Sequence, residues 1–273
     1  MIRGPQLGIL GGTFDPIHNG HLQLASIARR ALGLTQVLLI PAGRPPLKGT
    51  TTASAACRLR MVELACAGRP ELACSDVEIR RPGRSYTVDT LRAIRKASPW
   101  VHLWFLIGRD ALGTIDQWRE HPSLFELASF AVVSRQGEPA SPRIVEMLPA
   151  ADRALFERDH DLVGADGIAR AAWRHRSGEQ LTSIEIAPDD VSSTAIRAAL
   201  ARGEDVSERV PAAVASYIAR HGLYREKCAD DPRRHGRDGD DRAADDRAAD
   251  DPSAGSATST AIAKSTRRAG GAV

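Results

Sequence analysis

Apolar residues follow two alternating rhythms along the chain: short continuous runs, and longer stretches with an apolar position every three or four residues. Short runs bounded by glycine, proline or charge read as buried strands, and the longer periodic stretches read as amphipathic helices. Strand candidates are Leu7-Gly8-Ile9-Leu10, Val37-Leu38-Leu39-Ile40, Leu72-Ala73-Cys74, Trp100 to Ile107, Phe130 to Val133 and Leu181 to Ile186. In the last of these, alternation puts Ile184 and Ile186 on one face. Leu22, Leu24, Ile27, Ala28 and Ala31 predict a helix ending near Gly33, and Ala55, Leu59, Val62, Leu64 and Ala65 predict another over 54–67. Val88, Leu91 and Ile94 mark a third helix, and Ala111, Leu112, Ile115 and Trp118 a short fourth. A fifth runs through Ala198, Ala199 and Leu200 to a stop at Gly203, and a last one spans Pro211 to His221.

Strands alternating with amphipathic helices predict a Rossmann-like, doubly wound, mostly parallel α/β sheet in one domain over residues 1–226. Residues 139–178 have scattered apolar positions and frequent turn residues, and no function is assigned to them. Residues 227–273 change character, with repeats of Asp-Asp-Arg-Ala-Ala followed by Ser, Thr, Ala and Gly. So little apolar surface cannot offset the entropy of ordering, and a disordered low-complexity tail is expected.

The first strand candidate leads into Gly11-Gly12-Thr13-Phe14-Asp15-Pro16-Ile17-His18-Asn19-Gly20-His21, and a helix follows. Two glycines let the backbone turn and expose N–H groups, and the helix start adds the positive end of a dipole. Such a junction suits phosphate. His18 and His21 are three apart, so both rings can face the loop from one side. Pro41 to Gly49 must be a loop at a strand's C-terminal end, where open α/β sheets bind ligands. Its Arg44 and Lys48 are candidates for phosphate contact. Arg80-Arg81-Pro82-Gly83-Arg84 reads as a basic turn, with Ser85 or Thr87 capping the helix that follows Tyr86. Gly108-Arg109-Asp110 closes the most apolar strand. In Val191-Ser192-Ser193-Thr194-Ala195-Ile196-Arg197, a capping serine and an arginine one turn on can present hydroxyl, amide and guanidinium donors to one anion.

Composition removes several alternatives. The 273 residues are 42% hydrophobic, ample for a core, and the net charge of +3 implies no general attraction to nucleic acid or membrane. No apolar run approaches the ~20 residues of a membrane span, and no export signal is visible at the start. Cys57, Cys66, Cys74 and Cys228 show no paired spacing, which suits reduced thiols in a cytoplasmic protein. His18 and His21 lack a third ligand by spacing, so no protein-held metal is expected. No serine or cysteine sits in an elbow-like motif with a histidine base, which favours direct in-line attack over a covalent intermediate.

The stretch from Gly11 to His21 resembles the signature of the nucleotidyltransferase superfamily with the motif H-x-G-H, in the form shared by nicotinate-nucleotide adenylyltransferases. Ile107-Gly108-Arg109-Asp110 is similar to that family's Ile-Gly-x-Asp, and Val191 to Arg197 to its Ile-Ser-Ser-Thr-x-Ile-Arg. Gly222-Leu223-Tyr224 matches the usual family ending, whereas Leu47 stands where the family's Pro-Pro-His-Lys loop has histidine. The resemblance covers residues 1–226. It implies transfer of AMP from ATP to nicotinate mononucleotide, giving deamido-NAD and pyrophosphate, with Mg2+ accompanying ATP. The catalytic set would be His18, His21 and Arg197. Gly11, Gly12, Thr13, Phe14, Lys48, Gly108, Asp110, Ser193 and Thr194 would meet ATP, with Asp15 and Asp110 in turn, ribose or nucleobase contacts. Arg44, Ser85, Tyr86, Thr87 and Trp118 would meet the mononucleotide, the last four around the pyridine ring. Two rivals stay open: another adenylyl- or cytidylyltransferase acting on phosphopantetheine or an alcohol phosphate, and a non-catalytic nucleotide-binding module. Tyr86, Thr87 and Trp118 disfavour the first, and the joint presence of both histidines and Arg197 disfavours the second. Monomer and homo-oligomer are both compatible with the sequence.

Overall fold

The computed structural model describes residues 4–45, 51–135, 144–186 and 191–225. Lys48, Leu47 and the 227–273 tail lie outside the described residues. The chain opens with β1 (Gln6–Gly12), α1 (Asn19–Leu32), β2 (Gln36–Pro41), α2 (Ala55–Cys66) and β3 (Leu72–Cys74). Next come α3 (Val77–Arg80), α4 (Thr87–Ala97), β4 (His102–Gly108), α5 (Arg109–Leu112), a 3-10 turn at Ile115–Gln117, α6 (His121–Leu127) and β5 (Ser129–Arg135). The span without a sequence assignment holds a 3-10 turn at Ile144–Met147, α7 (Ala150–Arg153), β6 (Phe156–Arg158), β7 (Leu162–Val163), β8 (Ala169–Arg170) and β9 (Ala172–His175). Finally, β10 (Gln180–Ile186), α8 (Ser193–Ala201) and α9 (Ala212–Arg220) return the chain to the sheet.

The main sheet runs β3-β2-β1-β4-β5-β10-β9-β6. From β3 to β10 all neighbours are parallel, and β9 and β6 extend it antiparallel. Because β1 lies between β2 and β4, the crossovers diverge to opposite sides of it, and a crevice opens at its C-terminal end. Two apolar cores cover the faces. One gathers α1, α2, α8 and α9, and the other gathers α4, α6 and the 3-10 turns. Helix α1 buries Leu22, Ala25, Ala28, Ala31 and Leu32 and stops at Gly33, whose φ of 64° suits the only residue type without a Cβ penalty there.

Two local readings are corrected. Helix α2 buries Arg58, Met61, Val62 and Ala65, so its inward stripe is rotated from the expected one and contains a cation. Strand β10 buries Leu181, Thr182, Ser183 and Ile184 in succession, because it is paired on both edges and covered on both faces. Alternation in its sequence therefore reflects hydroxyls that find buried partners, such as Thr182 Oγ1 donating to the Ala171 carbonyl at 3.0 Å.

Candidate active site

The junction between β1 and α1 is built from three close contacts. Phe14 is 2% exposed with φ of 50°, and its ring lies where a side chain at Gly12 would be, 3.0 Å from that Cβ position. Gly12 is thus required by the ring rather than by its own backbone. The other face of Phe14 meets His21 edge-on at 4.9 Å between centroids. His18 caps α1 and His21 lies in its first turn, so the two imidazoles stack with centroids 3.7 Å apart and planes at 31°. The His18 backbone N–H donates to His21 Nδ1 at 3.2 Å, so in the neutral ring the proton sits on Nε2.

Helix α8 is stapled to the same loop. Of the two serines that could cap α8, Ser192 does so, accepting from the Ala195 N–H at 3.1 Å. Arg197 donates through Nη1 to the Asp15 carbonyl at 2.7 Å and through Nη2 to Thr194 Oγ1 at 3.3 Å. A guanidinium has five N–H donors, so others remain for a ligand. Ser193 is different. Its hydroxyl donates to the Pro16 carbonyl at 2.9 Å, which spends its one proton on the loop.

Asp15 lies in the turn after β1. It is 4% exposed, and its carboxylate accepts from the Thr52 N–H at 2.7 Å, the Ala53 N–H at 3.1 Å and the Tyr224 hydroxyl at 2.7 Å. It ties this turn to the backbone before α2 and to Tyr224. Beside it Arg58, 0% exposed, donates to the carbonyls of Thr13 at 2.7 Å, Gly43 at 3.1 Å and Ala53 at 3.3 Å. Burial pulls the Arg58 guanidinium below its ordinary value, and Asp15 opposes that pull. Burial, reinforced by the hydrogen bond to Asp15, pushes the Tyr224 hydroxyl up.

A cleft of about 510 Å³ opens beside this loop at the C-terminal ends of β1, β2 and β4. Gly11, Gly12 and Thr13 form one wall, and Ser85, Tyr86, Thr87 and Trp118 another. Trp118 is half-buried and held edge-on by Phe105 at 6.1 Å. The N-cap of α4 is Tyr86, and no side chain caps it; neither Ser85 nor Thr87 does so. Ser85 instead turns away and accepts from the Gly43 N–H at 2.9 Å and the Arg44 N–H at 3.3 Å. A helix start left without a side-chain cap, in the wall of a cleft, is a seat for a carboxylate or phosphate.

The remaining expectations divide. Arg44 is exposed and does not line this cleft; it borders a smaller one with Arg80 and Arg81, because its backbone is tied down by Ser85 while its side chain turns outward. Gly108 and Asp110 sit at the same sheet edge but outside the cleft lining, and the Asp110 carboxylate folds back to 2.6 Å from where a Cβ on Gly108 would lie.

A family model described as cytidylyltransferase-like matches residues 9–199. A relative from Syntrophotalea carbinolica, named "probable nicotinate-nucleotide adenylyltransferase", is 38% identical over 81% of this chain and 98% of its own. One of the same name from Roseiflexus sp. is 41% identical over 80% of this chain and 98% of its own. The chain belongs to this family, among the nicotinate-nucleotide adenylyltransferases. The fold agrees with a Plasmodium falciparum nicotinic acid mononucleotide adenylyltransferase complexed with NaAD, at a TM-score of 0.57 and 16% identity over 81% of this chain and 97% of that one.

Within the adenylyltransferase fold, several polar residues near the cleft carry no motif signal of their own. Glu78 and Thr90 lie in the cleft floor, with the Thr90 hydroxyl donating to Glu78 at 2.7 Å and Arg81 donating to Thr90 at 2.9 Å. Burial pushes the Glu78 carboxyl above its usual range, against the hydroxyls of Thr90 and Ser85 and the charge of Arg81. Arg119 lies 4.8 Å over the Tyr86 ring at the cleft rim. Arg58 did carry a signal. A cation at the i position of an i, i+3, i+4, i+7 buried stripe must be paired inside, and this one is. Among the described residues, no group of three His, Cys, Asp or Glu could hold a metal ion, and no helix is long and apolar enough to cross a membrane.

Proposed function

We propose that this adenylyltransferase moves AMP from ATP to nicotinate mononucleotide, releasing pyrophosphate and giving deamido-NAD. The observation that carries the reading is one sheet edge with a stacked histidine pair on the β1 to α1 junction and, next to it, a cleft whose wall is an uncapped helix start facing a tryptophan. The mononucleotide's phosphate attacks the α-phosphorus of ATP in line, and pyrophosphate leaves with the electron pair of the broken bond. His21 Nε2–H and the His18 ring meet the α-phosphate oxygens and strengthen their hold as charge concentrates there. Backbone N–H groups of Gly11 to Phe14 and the spare donors of Arg197 hold the triphosphate, with Thr194 beside it. The pyridine ring lies against Trp118, and its carboxylate takes the cap of α4 at Tyr86 and Thr87.

Magnesium enters with ATP. The described residues offer it no carboxylate cage, so triphosphate oxygens and water would be its ligands, and it would spread the charge of the leaving pyrophosphate. Among the described residues no helix is long and apolar enough to cross a membrane, and a cytoplasmic, soluble enzyme with no nucleic-acid partner is the reading that composition supports. Purified full-length protein with ATP, magnesium and a panel of mononucleotides, followed by pyrophosphate release, tests the assignment. Release with nicotinate mononucleotide is expected, and release only with phosphopantetheine overturns it.

A further inference from the structure

Three backbone carbonyls of the histidine loop are held from outside the loop. Arg58 of α2 takes Thr13, Arg197 of α8 takes Asp15, and Ser193 of α8 takes Pro16. The loop also sends one side chain outward, Asp15, whose carboxylate binds the backbone before α2 and the hydroxyl of Tyr224. Tyr224 lies 209 positions away in sequence and is 9% exposed. It is reached only because the turn after α9 adopts a left-handed backbone at Gly222 and again at Tyr224, with φ of 59° and 66°.

We infer that Tyr224, acting through Asp15, is a positioning residue for the His18–His21 pair, so that the turn closing the last helix sets the geometry of the reacting centre. The chain of contacts is short. Asp15 is three residues before His18, and the segment between them is pinned at Asp15 by Tyr224 and Arg197 and at Pro16 by Ser193. Phe14, on the other side of Asp15, sits in the left-handed region and packs its ring against His21 in a T-shaped contact. Losing the Tyr224 hydroxyl leaves Asp15 Oδ1 with only the longer bond from the Ala53 N–H, at 3.1 Å, and lets the carboxylate shift toward the buried Arg58, which moves both neighbours. Tyr224 is buried and does not line the cleft. Its effect should therefore fall on turnover rather than on binding.

The test rests on the proposed reaction and uses the full chain carrying Tyr224→Phe, with Asp15→Asn as a second variant that keeps one acceptor oxygen and removes the charge. A misplacement well under 1 Å at the imidazoles should lower kcat about 10-fold, while KM for both substrates stays within roughly 3-fold. In parallel, the ring nitrogen resonances of His18 and His21 should shift in Tyr224→Phe without any substrate present. A Tyr224→Phe enzyme with wild-type kcat and unshifted imidazoles, merely melting at lower temperature, would reduce the hydrogen bond to a structural tie and overturn the inference. If the wild type releases no pyrophosphate with any mononucleotide, the proposed reaction fails, while the imidazole resonances still decide the positioning role.

Discussion

The two ends of the parallel strands treat buried polar groups in opposite ways. At the N-terminal ends, Glu179 before β10 accepts from Arg95 at 2.6 Å and from Ser129 Oγ at 2.8 Å, and Arg95 also donates to the Leu127 carbonyl at 2.6 Å. His102 at the start of β4 lies 3.7 Å from the same carboxylate. These groups neutralise one another across α4, β4, β5 and β10, and the edge is closed. At the C-terminal ends, buried groups such as Arg58, Asp15 and Ser85 are spent on fixing loops, and the helix start of α4 remains turned toward a cleft. Both edges obey the same rule that a buried polar group needs a partner. They differ in whether the partner is already in the chain or is still to arrive, which is the physical difference between a structural cluster and a site.

The largest consequence is that the two edges should fail differently when cut. His18→Ala or His21→Ala removes a group placed for charge that builds only in the transition state, and each should lower kcat by about 100-fold or more with a smaller change in ATP affinity. Folding should survive, since neither ring is needed to close a core. Steady-state kinetics beside a thermal melt would check this; both variants retaining kcat within about 3-fold would take the pair out of the chemistry.

Discrimination at the α4 helix start should be of similar size. Nicotinate and nicotinamide mononucleotides differ in a carboxylate against a carboxamide, and an uncapped N-terminus offers donors with nothing to accept from an amide N–H. Turning the amide toward those donors leaves N–H groups unsatisfied, so the acid should be preferred by at least ~100-fold in kcat/KM. Trp118→Ala should raise KM for the mononucleotide by roughly 10-fold and leave that for ATP nearly unchanged, from the lost cation–π and stacking contact. Equal turnover of acid and amide, or a Trp118→Ala defect confined to ATP, would show the pocket to be elsewhere.

The sequence reads well wherever one residue's chemistry suffices, and poorly where function is shared through the backbone. Gly11 to His21, the Ser192 cap and the stop at Gly33 are local, and each stands where its pattern puts it. Ser193 and Asp15 look like ligands because their chemistry permits it, yet distant carbonyls, amides and a tyrosine hydroxyl claim them first. Nothing near position 15 announces position 224. Likewise Ser85 looks like a cap, but the loop after β2 takes its oxygen and the helix start is left open. Strands β6 to β9 escaped assignment because they run only two to four residues and leave Glu157, Arg158 and Val163 exposed, so no period develops.

A smaller effect is expected when the closed edge is opened. Glu179→Ala leaves Arg95 without its carboxylate, and the pair is partly screened, with side chains 27% and 13% exposed. A loss of about 1–2 kcal/mol is expected for breaking such a half-buried pair, or roughly 2–8 °C in Tm for a domain of this size. Pyrophosphate release below the melting range should be unchanged. A fall in kcat without a fall in Tm would erase the distinction between the two edges.

The smallest effect concerns pH, and there the edges should oppose each other in sign. His102 and His175 both belong to the closed edge, His175 through its N–H donating to the Glu179 carbonyl at 2.8 Å. Burial holds both imidazoles below their usual value. Arg95 adds to this at His102 and Arg176 at His175, while Glu179 pulls both back and Glu126 and Asp152 help at His175. The unfolded chain therefore binds protons near pH 6.5 that the folded chain refuses. Their contribution to stability is complete above that pH and is lost as pH falls through the depressed folded values, with a slope of at most ~1.4 kcal/mol per pH unit for each ring. Glu78, in the cleft floor, has its pKa raised by burial, so the folded chain takes up its proton first. Its contribution is complete only below the ordinary carboxylate range and is lost as pH rises through the raised value, which partly offsets the histidines on the acid side. Denaturant unfolding of wild type between pH 7.5 and 5 should show stability falling as acid is added, and His102→Gln should flatten that slope while Glu78→Gln steepens it. Identical slopes in all three proteins would mean that neither edge carries a shifted group that matters to folding.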